Sequence, residues 1–164
     1  DMVSVDRREK VLASALATYV DETAPRIDFI FIDSPPSLGL LTVNALVAAT
    51  EVLVPIQCEY YALEGVTQLI ANIERVKKAL NPSLDISSIL LTMFDNRTNL
   101  STDVANEVRK YFPEQTLAAT IPRSVRLSEA PSYGQTAITF DPKNPGALAY
   151  QEAAIELAQR VDHL

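Results

Sequence analysis

The chain has 164 residues, 48% hydrophobic and 21% charged, with a formal net charge of −7. That much apolar material builds a sizeable core and excludes a disordered polymer, so 1–164 is expected to form a single domain. The acidic balance argues against nucleic-acid binding by the chain as a whole, although a local cationic patch overrides a whole-chain figure.

In chain order, Asp6 to Glu22 reads as an amphipathic helix with Val11, Leu12, Leu16 and Tyr19–Val20 on one side. Ile27 to Asp33, rich in Ile and Phe, reads as a short strand covered on both faces, as in parallel sheets. Asp33 ends it, and Pro35 and Pro36 forbid further ladder pairing or an immediate helix. Ser37 is placed to cap a helix running to about Ala49, and Val52 to Gln57 forms the next strand. Leu38 to Ile56 has the length of a membrane span, but Asn44, Glu51 and Pro55 interrupt it, which suits a buried helix and strand better. A helix from Leu63 to Leu80 closes at Asn81-Pro82, and Ile86 to Met93 is a further strand. Asn99 to Tyr111 is helical, and Leu117 to Ile121 forms a shorter strand. Pro122 to Asp141 reads mostly as loop with room for one turn of helix, and Asn144-Pro145 opens a last helix reaching about Val161. Strands alternating with helices imply βαβ units, hence an α/β fold with a mostly parallel sheet flanked by helices.

No basic, apolar leader opens the chain, so a secretory signal is not expected. The single Cys58 excludes an internal disulfide and fits a reducing compartment. With His163 as the single histidine, a Cys/His metal site and a Cys–His nucleophile are excluded too.

Ligands of open α/β sheets sit outside the carboxyl ends of the strands, where Asp33 falls. An aspartate there suits a Mg²⁺-bound water beside a nucleotide phosphate; the alternative is that it caps the following turn. Glu59 follows a strand end beside Tyr60 and Tyr61, residues of a type enriched at interfaces. Met93 to Arg97 closes the next strand on the same edge, and Met93 reads equally well as plain core. Arg97, Arg123 and Arg126 lie in loops at or near strand ends, placed either for phosphate contacts or for salt bridges to Asp95, Asp103 and Glu129.

Four segments carry a family resemblance: Ile32-Asp33-Ser34-Pro35-Pro36-Ser37-Leu38-Gly39, the run Pro55 to Gly65, the run Leu90 to Thr98, and the run Ile121 to Pro131. In order and spacing the chain resembles the ParA/Soj branch of the deviant Walker-A ATPases, partition proteins whose relatives include MinD. The family opens on a phosphate loop of the pattern K-G-G-x-G-K-[ST]; Gly39, Gly65, Gly134 and Gly146 are too dispersed to form one. The expectation is therefore the C-terminal part of a P-loop NTPase-like domain, missing the N-terminal strand and the P-loop.

What the resemblance implies is specific. Asp33 becomes the catalytic carboxylate, holding a water in the Mg²⁺ shell, and Pro35 and Pro36 join the loop that senses the γ-phosphate. Glu59 helps to sandwich the nucleotide across a homodimer. Met93, Asp95, Pro122 and Arg123 border the adenine, although MinD carries asparagine where Asp95 stands. Arg97, Arg123 and Arg126 contact non-specific DNA. The intact protein is then a cytoplasmic, nucleoid-associated ATPase that binds Mg·ATP, dimerises, binds DNA and hydrolyses ATP when a ParB/Spo0J-type protein stimulates it; the chain alone is expected to be inactive. Membrane binding of the MinD kind is disfavoured, because Ala153 to Leu164 is short and charge-balanced. The alternative from another class is a non-catalytic protein-interaction module with the same fold. The resemblance also places the phosphate-loop strand between Ile27–Asp33 and Val52–Gln57, so its absence is expected to expose strand edges and favour a homo-oligomer over direct closure of the sheet.

Overall fold

The structure is a computed structural model that describes residues 7–161 apart from 24, 25, 36, 38 and 61, with 62–64 and 161 described in backbone alone. The expected start of the first helix at Asp6, together with Pro36 and Tyr61, lies outside the described residues. The chain divides into two compact units, Asp1–Val52 with Gln68–Asp85, and Leu53–Thr67 with Ile86–Leu164.

In the first unit, a 3₁₀ turn at Arg8–Lys10 leads into α1 (Val11–Glu22), and α2 (Leu40–Ala48) follows. Buried Asn44 joins them: its amide donates to the carbonyls of Arg8 at 2.8 Å and Leu40 at 3.0 Å, and its oxygen accepts the Leu12 N–H at 3.1 Å. Asn81, equally enclosed, donates to Leu46 O at 2.9 Å and Ala49 O at 2.7 Å, capping carbonyls that the end of α2 leaves without helical partners. α3 (Ala62–Ala79) brings Ile73 and Val76, which with Leu84 supply apolar core around these polar ties.

The sheet runs in the order β1 (Glu51–Gln57), β2 (Asp85–Phe94), β3 (Thr116–Pro122). β2 and β3 are parallel, with Ile89 opposite Thr116, Leu91 opposite Thr120 and Phe94 opposite Pro122. β1 is parallel to β2 as well: Asp85 N–H donates to Thr50 O at one end, and Cys58 N–H to Thr92 O at the other. Four consecutive buried residues, Ser88 to Leu91, mark β2 as the central strand covered on both faces.

In the second unit, α7 (Pro145–Val161) packs on β3. Ala149 and Ala153 of α7 meet Leu117, Ala119 and Ile121 of β3 and Leu90 of β2, with Leu53, Leu127 and Leu157 at the margin. Small residues on the helix let its backbone approach the sheet. At the start of α7, a Cβ added to Gly146 would meet the Leu127 side chain at 2.5 Å, so any larger residue here must displace Leu127 from the helix. Polar groups then lock the far end: Arg160 donates to the carbonyls of Ser87, Glu114 and Gln115, and Glu156 accepts the N–H groups of Ala118 and Ala119. On α4 (Asn99–Tyr111), Val104, Ala105 and Val108 form the buried face.

Three expectations need correction. Ile27 to Asp33 is extended but is not a strand, and Phe29, Ile30 and Phe31 are 51%, 43% and 77% exposed. An apolar run becomes a buried strand only with ladder partners, and among the described residues none of the three strands of the sheet pairs with it. The rings of Phe29 and Phe31 stack on each other at 6.3 Å instead. The helix expected from a Ser37 cap begins at Leu40, after an extended Gly39. Lastly, the stretch from Pro122 to Asp141, expected as loop with room for one helical turn, holds three: α5 (Val125–Glu129), a 3₁₀ turn at Ala130–Tyr133 and α6 (Ala137–Phe140). Short helices of this kind carry too little periodicity to read from sequence.

Candidate functional site

In the second unit, the parallel strands β1, β2 and β3 present their carboxyl ends on one edge. Glu59 lies two residues beyond β1, Asp95 directly follows β2, and Arg123 directly follows β3. β2 fastens its neighbours' loops: Thr92 O accepts the Cys58 N–H at 2.9 Å, and Phe94 O accepts the Arg123 N–H at 2.9 Å. Glu59 and Arg123 thereby face each other, with Oε1 to Nη1 at 3.8 Å. Both side chains are more than half exposed, so this pair contributes about 0–1 kcal/mol and is free to exchange partners.

Asp95 and Arg97 form the tighter pair. The guanidinium grips the carboxylate through Nε at 2.9 Å and Nη2 at 2.7 Å, and the Arg97 backbone N–H adds a third bond at 3.1 Å. Arg97's side-chain and backbone hydrogen bonds bring the Asp95 carboxyl down to about 2. Thr98 caps α4 by accepting the Ser101 N–H, and the Ser101 hydroxyl donates to Cys58 O at 3.0 Å, so the start of α4 is tied to the loop after β1. Burial raises the Cys58 thiol, which suits core packing better than reactivity.

Arg126, on α5, donates to Glu129 at 3.0 Å and Asp141 at 3.3 Å, with its guanidinium 4.6 Å from the Phe140 ring centroid. Asp141 and Phe140 were not singled out from sequence; fifteen and fourteen positions separate them from Arg126, and no local signal links the three. Ser101 reads from sequence only as part of the opening of α4, since a serine there usually signals only a cap.

The structure therefore gathers Glu59, Asp95, Arg97 and Arg123 on one edge, with Met93 and Pro122 in the strands that end there. Asp33 and Pro35 belong to the first unit, both exposed, and Pro35 O accepts from the Thr42 hydroxyl at 3.4 Å. All three arginines have carboxylate partners, as the salt-bridge alternative expects, though these include Glu59 and Asp141 besides Asp95 and Glu129. No helix of the described residues is long and apolar enough to cross a membrane.

A family model described as an AAA domain matches residues 1–86. The chain is 50% identical over 160 residues to the chromosome partitioning protein ParA of Myxococcus xanthus, covering 98% of this chain and 55% of that protein. It is 49% identical to the sporulation initiation inhibitor protein Soj of Bacillus subtilis, covering 96% of this chain and 61% of that protein. Thus the chain spans little more than half the length of these curated relatives. Among solved structures, it resembles cobyrinic acid a,c-diamide synthase from Mycobacterium smegmatis with bound ADP and magnesium. That match has 35% identity and a TM-score of 0.77, covering 98% of this chain and 57% of the other. The cell division ATPase MinD of Pyrococcus furiosus shares the fold at 22% identity and a TM-score of 0.71, covering 95% of this chain and 63% of that one.

Proposed function

The chain belongs to the ParA/Soj branch of the AAA-domain family, and from that premise we propose that it is the part of a DNA-partitioning ATPase that supplies the base-side edge of the nucleotide site and the switch residues. In this reading it is the C-terminal portion of the ATPase domain. The intact protein binds Mg·ATP, forms a homodimer, binds DNA without sequence preference, and hydrolyses ATP when a ParB-type protein stimulates it. It works in the cytoplasm on the nucleoid.

The observation that carries the reading is the convergence of Glu59, Asp95, Arg97 and Arg123 at three strand ends, in a chain half identical to ParA and Soj. Met93, Asp95, Pro122 and Arg123 border the base, and Glu59 reaches a nucleotide shared with the second subunit. Asp33 holds the Mg²⁺-bound water, and Pro35 and Pro36 sense the γ-phosphate. The residues of this chain do not by themselves fit the phosphates. A Cβ added at Gly39, Gly65 or Gly134 meets nothing within 4 Å, so none of these glycines makes room in a tight cradle, and no group of three ligating side chains suited to a metal occurs among the described residues. In this reading the phosphate-holding donors of the intact protein lie outside the described residues.

Arg123, with its loose and exposed carboxylate partner, is the arginine best placed to exchange a salt bridge for a DNA phosphate, and Arg97 and Arg126 stand beside it as further cations. The test is a chimera in which this chain replaces the matching 61% of the Bacillus subtilis relative. DNA-stimulated ATP turnover that Asp33→Ala abolishes, with none from the 164-residue chain alone, is the expected result. Turnover by the chain alone overturns the reading. A folded, nucleotide-binding chimera without turnover supports the non-catalytic module instead.

A further inference from the structure

β2 does something no regular strand does at its carboxyl end. In a regular strand the carbonyls of residues two apart point to the same side. Here Thr92 O faces β1, where it accepts the Cys58 N–H, while Phe94 O faces the end of β3 and accepts the Arg123 N–H. The strand has turned over between them. The register records the same event, since three steps on β2 from Leu91 to Phe94 face two steps on β3 from Thr120 to Pro122. The residue inside this bulge is Met93, and its φ is +54°, in the left-handed region. Bulges of this kind ordinarily place glycine there, because a side chain is strained at positive φ. Among the described residues, the other non-glycine residue at positive φ is Arg7, just before the 3₁₀ turn at Arg8–Lys10.

We propose that Met93 is a positioning residue that acts through its backbone: its left-handed conformation lets one strand hold the loops after both β1 and β3, and so sets Glu59 opposite Arg123. The inference rests on the proposed nucleotide edge for its use, but its geometry does not depend on it. The strain is local and sits where the ligand-facing loops are anchored, which is the usual location of stored backbone strain. It also predicts a specific chemical preference. Unbranched side chains tolerate the left-handed region poorly, and β-branched ones worse, because a second substituent on Cβ crowds the backbone.

The experiment compares Met93→Leu, Met93→Ile and Met93→Gly by amide hydrogen exchange of Cys58 and Arg123, with the Val108 amide inside α4 as the report on global opening. Leu and Ile have the same volume, so the pair isolates branching from packing. Met93→Leu should match the wild type. Met93→Ile should speed exchange of both amides by about tenfold, because branching at Cβ adds crowding to the left-handed penalty that methionine and leucine already bear, with Val108 unchanged. Met93→Gly should hold both amides at least as well as Met93→Leu. Equal exchange in the Leu and Ile variants overturns the proposal, and so does loosening by glycine as great as that by isoleucine, since the side chain would then be the anchor. ADP binding by the chimera is measured in parallel. A wild-type chimera that fails to bind ADP refutes the proposed function while leaving the exchange result to judge Met93.

Discussion

Replacing Arg160 tests whether a planar fork, rather than a positive charge, fastens the last helix to the sheet. Its Nη1 donates to Ser87 O at 3.0 Å, Glu114 O at 2.9 Å and Gln115 O at 3.1 Å. Nη2 reaches Thr116 O at 3.4 Å and Glu156 at 3.2 Å. Glu156 in turn takes the Ala118 N–H at 2.9 and 3.0 Å and the Ala119 N–H at 3.2 Å, where the register of β3 slips. Hydrogen bonds to charged groups contribute about 1.5–3 kcal/mol each when one partner is removed from a buried setting. The Arg160 side chain is 27% exposed, so released carbonyls recover part of their hydration, and the several bonds do not add. A net loss of roughly 2–3 kcal/mol is expected for Arg160→Ala, lowering Tm by about 4–12 °C for a chain of this size. Arg160→Lys keeps the charge but reaches at most one or two of the carbonyls, and should recover less than half of the loss. The assay is thermal unfolding by circular dichroism, with urea titration as the check on an unchanged m-value. A lysine variant as stable as the wild type would refute the argument, because charge alone would then account for the contact.

Two further outcomes follow from the edge. Asp95 is depressed to about 2 from an ordinary 3.8, so its contribution is complete above the ordinary value and is lost as pH falls through about 2. The acid limb of a Tm-against-pH curve should therefore flatten in Asp95→Asn, and an unchanged limb would show that the Arg97 grip does not persist in solution. In the chimera, Arg123→Ala should weaken binding to DNA of any sequence and reduce the slope of log K against log salt by about 1. An unaltered slope with dimerisation intact would return Arg123 to its pairing with Glu59 alone.

Many elements of the chain were legible in the sequence. The buried run of β2, the Asn81-Pro82 stop and the proline opening α7 are local signals, and local signals fix elements to within a residue or two. The carboxyl edge was legible too, since strands read in order with parallel connections must end on one side. What the sequence could not decide is everything that depends on a distant partner. Ile27 to Asp33 has a strand's composition, yet composition supplies no ladder, and without one its phenylalanines stay exposed. The partners of Arg126 lie across a stretch that looked like loop, and Glu156 meets Ala118 only because α7 returns along β3. The left-handed turn at Met93 is the clearest case. Nothing in a methionine announces a positive φ; it is imposed where β2 must bond β1 on one side and the end of β3 on the other. Hydrophobic period and chain-breaking residues decide where elements lie, whereas tertiary hydrogen bonding decides which of them find partners and which backbone must strain to let them.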